Sequence, residues 1–163
     1  MKNKTAKNHK GFSLVEILIV AGVVGLILTA LVLALNSKQA GVRDVKRVSD
    51  IKALRSAMEV VKNQAGDYKQ TFCQPGLVSS CAKNKRSELT KIMNDLAGFN
   101  DPDFTKVCSD LEVCQKAGCN YTFVNLEESD YRVLFTLEKG TSAHPEAGCY
   151  ELTPRGIKLL RAK

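Results

Sequence analysis

From position 12 to 35 the chain reads FSLVEILIVAGVVGLILTALVLAL, an apolar run in which Glu16 is the only ionisable side chain. Wound as a helix, such a run is long enough to cross the hydrocarbon core of a bilayer. Beyond it the pattern turns from continuous to periodic. Val45, Val48, Ile51, Leu54, Met58, Val61 and Ala65 recur at steps of three and four, which draws one apolar stripe along a helix. Gly66-Asp67 then reads as a stop. No breaker separates the two patterns, so a single helix over 12–65 is predicted, roughly 80 Å long at about 1.5 Å per residue.

After the helix the pattern predicts a loop over 69–85 and a short helix over 87–96, where SELTKI spaces apolar residues helically. Residues 94–110 look irregular, with Asp101-Pro102-Asp103 as a turn. Strand signals follow at 120–126 (NYTFVNL) and 131–138 (YRVLFTLE), joined by a turn at 127–130, and again at 148–153 (GCYELT) after a loop over 140–147. Alternation puts Tyr131, Val133, Phe135 and Leu137 on one face, facing the helix stripe. The economical architecture is α+β: one long N-terminal helix whose second half packs on a small antiparallel sheet of three strands. The chain divides accordingly into 1–11, a basic leader; 12–35, the membrane-type helix; 36–66, its amphipathic half; and 67–163, a globular domain. At 163 residues there is room for about one such domain. Internal repeats and low-complexity stretches are absent.

Charge changes this picture little. Four of the 24 Lys and Arg residues (Lys2, Lys4, Lys7, Lys10) lie in the first eleven positions, without an acid among them. The remaining 20 face 17 acids, so the formal +7 falls to +3 outside the leader, a weak argument for a polyanion partner. The tail Arg155, Lys158, Arg161 and Lys163 has the charge that phosphate contacts need, and equally that of a solvated surface. Glu127, Glu128 and Asp130 suggest a calcium cluster on composition alone, but their position suits a solvated hairpin turn.

Cysteine changes it more. All six cysteines (Cys73, Cys81, Cys108, Cys114, Cys119, Cys149) follow residue 72. An even count confined to one region predicts a disulfide framework in an oxidising compartment. No Cys-x-x-Cys occurs, and His9 and His144 lie far from the cysteines, so neither a zinc site nor a catalytic thiol is expected. Six cysteines allow 15 complete pairings. Cys73 and Cys81 bracket Pro75-Gly76 and are the best single guess for a pair; the rest stay open. No phosphate loop, nucleophile elbow, HExxH or EF-hand loop is present, so no enzyme, cofactor or metal is expected.

The apolar run admits a cleaved secretory signal or a plain signal anchor. The first is disfavoured, since its apolar region would be about 7–15 residues before a small-x-small site. Orientation is not settled by basic residues, because Lys38, Arg43, Lys46 and Arg47 follow the run as lysines precede it. The cysteines place the C-terminal part on the oxidising side. A plain anchor leaves Glu16 without a purpose. A charge in a membrane helix costs about 2.5–3.5 kcal/mol at its centre and less near its end, and such residues are usually paired.

Lys10-Gly11-Phe12-Ser13-Leu14-Val15-Glu16, opening an apolar helix after a short basic leader, resembles the processing motif of type IV pilins and pseudopilins. The stretch RDVKRVSDIKALRSAMEVVKNQAGDY resembles the soluble half of their N-terminal helix. Two departures stand out: Lys69 takes the place of the proline that many relatives carry after the tyrosine, and the mid-membrane proline is missing, leaving Gly22 and Gly25 as the weaker points of the helix. The resemblance implies a pilin-like fold and cleavage by a prepilin peptidase between Gly11 and Phe12. It further implies methylation of Phe12 and a filament in which Glu16 meets the Phe12 amine of another subunit. It also implies a disulfide joining one of Cys108, Cys114 and Cys119 to Cys149. Implied partners are other copies or other pilins, the peptidase, the assembly platform and the inner membrane before assembly; DNA and host surfaces are partners the family offers. The implied location is the inner membrane as precursor, then a cell-surface or periplasmic filament. A filament subunit is the first reading. A pseudopilin of a type II secretion system is the alternative, and an uncleaved membrane-anchored binding module is the alternative of another class.

Overall fold

The computed structural model describes residues 13–161, the side chains of 33–37 excepted. Two compact units divide after residue 38, and helix α1 (Leu14–Ala65) contributes to both. In the first unit, residues 14–32 of α1 carry their apolar side chains exposed, from Leu14 at 75% to Val32 at 55%. The rest of the fold lies in the second unit.

There α1 ends as its sequence requires. Gly66 takes a φ of 91°, and the Asp67 carboxylate accepts the Gln70 N–H, capping a 3₁₀ turn over Tyr68–Thr71. The Tyr68 N–H donates to the Glu128 carbonyl at 3.1 Å, so the end of the helix is tied to the turn at 127–130.

The sheet has five antiparallel strands in chain order: β1 (Gly76–Leu77), β2 (Thr122–Leu126), β3 (Tyr131–Leu137), β4 (Gly148–Thr153) and β5 (Gly156–Leu159). The three expected strands form its centre, and two edge strands extend it. β1 is too short to show any period. β5 follows a two-residue turn at Pro154-Arg155, with Thr153 opposite Gly156; Arg155 and Lys158 make it read as a basic tail, although Ile157 and Leu159 alternate as a strand should.

Between β1 and β2 run a 3₁₀ segment (Val78–Lys83), α2 (Glu88–Ile92), a 3₁₀ turn (Leu96–Gly98) and α3 (Leu111–Ala117). The helix expected over 87–96 stops at Ile92, ahead of Asn94-Asp95, residues whose side chains compete with the helical backbone. No element was expected at α3. Its signals are nonetheless local: the Asp110 carboxylate accepts the Val113 N–H at 2.9 Å, and Gly118 leaves the helix at a φ of 68°. A Cβ on Gly118 would lie 2.6 Å from the Phe104 ring, so glycine is needed there for space as well as for conformation.

The core cluster unites Val48, Ile51, Leu54, Met58 and Val61 of α1 with Tyr131, Val133, Phe135 and Leu137 of β3, and with Phe123, Tyr150 and Leu152 of its neighbours. The expected face of β3 is therefore the one on the helix. Two expected stripe residues are exposed. Val45, at 62%, sits about 120° around the helix from Ile51 at 3.6 residues per turn. Ala65 lies at the helix end, beyond the sheet's cover. The buried face instead continues through Arg47, Asp44 and Ala40.

The opposite face of the sheet is covered by cysteines. Leu134 is buried among Cys108, Cys114, Cys119 and Cys149, with Leu111, Val113, Val124 and Leu160 at the rim. The disulfides are Cys73–Cys81, Cys108–Cys119 and Cys114–Cys149. A small domain has little apolar surface to bury, and cross-links offset that deficit. Replacing both Cys73 and Cys81 by serine opens a loop of separation 8 and is expected to cost about 2.5 kcal/mol by the loop-closure relation. Chemical denaturation of the double variant checks this, and an unchanged midpoint would show that the bond is dispensable.

Candidate functional site

Two places put charge where the pattern calls for apolar side chains, and the chain treats them differently. The first is Arg47. It is fully buried, yet each of its three guanidinium nitrogens donates a hydrogen bond. Nε and Nη2 donate to the Asp101 carboxylate at 2.6 and 2.9 Å, and Nη1 donates to Asp44 at 2.8 Å and to Glu138 at 2.6 Å. Phe104 covers the cation, 4.7 Å from ring centre to Cζ. Asp44, also fully buried, accepts the backbone N–H groups of Glu138, Lys139 and Gly140 at 2.9, 2.7 and 2.9 Å. Asp101 accepts those of Asp103 and Phe104. One turn of α1 thus holds both the end of β3 and the turn at Asp101. Burial acts to lower the Arg47 pKa, but the hydrogen bonds to Asp101, Glu138 and Asp44 outweigh it and raise the value.

Glu138 closes the cluster from its rim, where Arg43 Nε donates to it at 2.7 Å. The hydrogen bond from Arg43 does most to pull its carboxyl down from 4.5 to about 2, against the opposing effect of burial and with help from Arg47. A carboxyl whose folded pKa is depressed stabilises the fold above its unfolded value, and that stability is lost as the pH falls through the folded one. Stability is therefore expected to drop as the pH falls from about 4.5 to about 2. Denaturation midpoints across this range check it, with Glu138→Gln expected to flatten the profile; equal slopes in both proteins would remove Glu138 as the cause.

In the sequence Arg43 and Arg47 stand as basic residues flanking a membrane-type run, and nothing adjacent to them marks this cluster. The signal was present in the spacing: Asp44 stands four residues before Val48 and Arg47 four before Ile51, on the face the stripe buries.

The second place is Glu16. It lies in the first turn of α1, exposed, within a helical stretch over Leu14–Val32 that is long and apolar enough to cross a membrane. Glu16 shares one apolar helix face with Ile17, Val20, Ala21 and Val24. No ion pair or hydrogen bond joins its carboxylate to any other described residue. Gly11 and Phe12, the expected cleavage pair, lie outside the described residues.

The remaining candidates are accounted for locally. Arg161 donates to Glu146 at 2.7 Å, Arg155 stands in the β4–β5 turn and Lys158 on β5; Lys163 lies outside the described residues. The acids at 127–130 serve the β2–β3 turn: Asp130 accepts the Tyr131 N–H, Glu127 accepts from Asn125, and Glu128 pairs with Lys69.

Residues 6–32 match the family model described as "Prokaryotic N-terminal methylation motif". This motif is the prepilin-type signal of type IV pilins and pseudopilins, and the α+β fold, with its long N-terminal helix, antiparallel sheet and three disulfides, is consistent with a pilin-like one. Comparison with curated proteins and with solved structures finds no match.

Proposed function

We propose that the protein is a structural subunit of a type IV pilus-like filament, cut after Gly11, methylated at Phe12 and assembled through its N-terminal helix. The precursor waits in the inner membrane with its C-terminal domain on the oxidising side, and the processed chain enters the filament. One observation carries the reading. The chain partners its misplaced Arg47 from within, through four hydrogen bonds to three carboxylates, yet Glu16, on an apolar exposed helix, meets no partner among the described residues. Cleavage would create the missing cation, a free amine at Phe12, and another subunit would present it. In a low-dielectric helical core this pair outweighs a surface ion pair, and an unpaired Glu16 is penalised, which fixes the register between subunits.

Expression beside a prepilin peptidase tests the processing step. The chain is expected to lose residues 1–11, and Gly11→Val to retain them, because a side chain there obstructs close approach of the peptidase to the backbone. A mass read on both proteins decides. Retention of the leader by the unmodified chain would contradict the proposal.

A further inference from the structure

The four cysteines on the far side of the sheet form two disulfides, but their sulfurs do not keep to separate sites. The Sγ atoms of Cys108, Cys114 and Cys119 all lie within 4.8 Å of one another, and all four side chains are buried to 1% exposure or less. Cys114 sits on α3, inside the loop that Cys108–Cys119 closes, with a separation of 11. Its own partner, Cys149, comes from β4, 35 positions later. Three of the four cysteines therefore belong to one short segment, so any single disulfide formed within it leaves the third without a partner there.

We propose that Cys108, Cys114 and Cys119 form a thiol set that exchanges disulfides internally, and that Cys149 locks it in one pairing. The step needs no outside oxidant. The Cys114 thiolate attacks Cys119 Sγ, a Cys114–Cys119 bond forms, the Cys108–Cys119 bond breaks, and Cys108 leaves as the thiolate; attack on Cys108 is the mirror case. Thr136 is placed to assist. Its Oγ1 lies 3.6 Å from Cys114 Sγ and accepts the Cys119 N–H at 2.8 Å, which leaves its hydroxyl proton for a thiolate. When β4 pairs with β3, Thr136 stands opposite Cys149, so the residue beside the exchanging sulfur also positions the lock. Early mispairing within 108–119 is thus repaired by the chain's own thiols, and completion of the β3–β4 ladder ends the exchange. This inference is independent of the filament reading.

The test uses the full chain in detergent, carrying Cys149→Ser. After incubation at two pH values, acid quenching, alkylation under denaturing conditions and peptide mapping locate the free thiol. It is expected on Cys108 and Cys119 as well as Cys114. It should spread about tenfold faster per pH unit below the thiol pKa, because the thiolate is the attacking species. Label on Cys114 alone at both pH values, in protein with native circular dichroism, would overturn the proposal. Should Cys149→Ser fail to fold, reoxidation of the reduced unmodified chain with acid trapping replaces it. Transient Cys108–Cys114 or Cys114–Cys119 bonds ahead of Cys114–Cys149 are then expected, and their absence would overturn it equally.

Discussion

Glu16→Ala is expected to leave removal of the leader intact and to lower the yield of filaments at least tenfold. The substitution is mild for the isolated chain, since it removes a charge from an exposed apolar helix. Its cost falls on assembly. The Phe12 amine of a neighbouring subunit would enter a dry interface with nothing to meet, and truncating one partner of a buried charged pair costs about 2–5 kcal/mol. Each 1.4 kcal/mol is about tenfold in an equilibrium, and the loss recurs at every subunit. Glu16→Gln keeps the shape without the charge and should fail in the same way. Shearing cells and comparing filament yield with the processed pool in the membrane measures this. Normal yield from either variant would refute the pairing.

Arg47→Ala is expected to be the most damaging single substitution in the second unit, at about 3–5 kcal/mol. The loss is not that of an attraction alone. Asp44 and Asp101 would remain buried with one countercharge fewer, and the Phe104 ring would lose the cation it covers. Arg43→Ala should cost far less than Arg47→Ala, because its side chain is partly exposed and solvent screens the pair. Thermal unfolding of the full chain in detergent, followed by circular dichroism, compares the two. Equal, small shifts would mean that the cluster does not hold the end of β3 to the helix.

Elements with long or repeated patterns were legible from the order of apolar and polar residues alone. The apolar run, the stripe from Val48 to Val61 and the three central strands each repeat a period often enough to specify their faces. The missed features are short or depend on contacts distant in sequence. β1 has two residues; β5 has its alternation overlaid with charge; α3 carries an Asp110 cap and a Gly118 stop in a stretch of only seven helical residues. The Arg47 cluster draws on residues 44, 47, 101 and 138, and nothing local says that Asp101 and Glu138 will converge on one guanidinium. The stripe read through Val45 was an error of phase, set by choosing apolar identity over helical angle. Glu16 was legible for the opposite reason: a lone carboxylate in an apolar run stands out without any knowledge of the fold.

The central claim is that cleavage makes the charge that Glu16 meets. Intact mass with N-terminal peptide mapping, on protein recovered from sheared surface material and from membranes, tests it most directly. The account predicts a chain beginning at methylated Phe12 in the sheared fraction, gaining six hydrogens on reduction from its three disulfides. A chain that still begins at Met1 and is found only in membranes would contradict it, leaving Glu16 without an amine and favouring an anchored module.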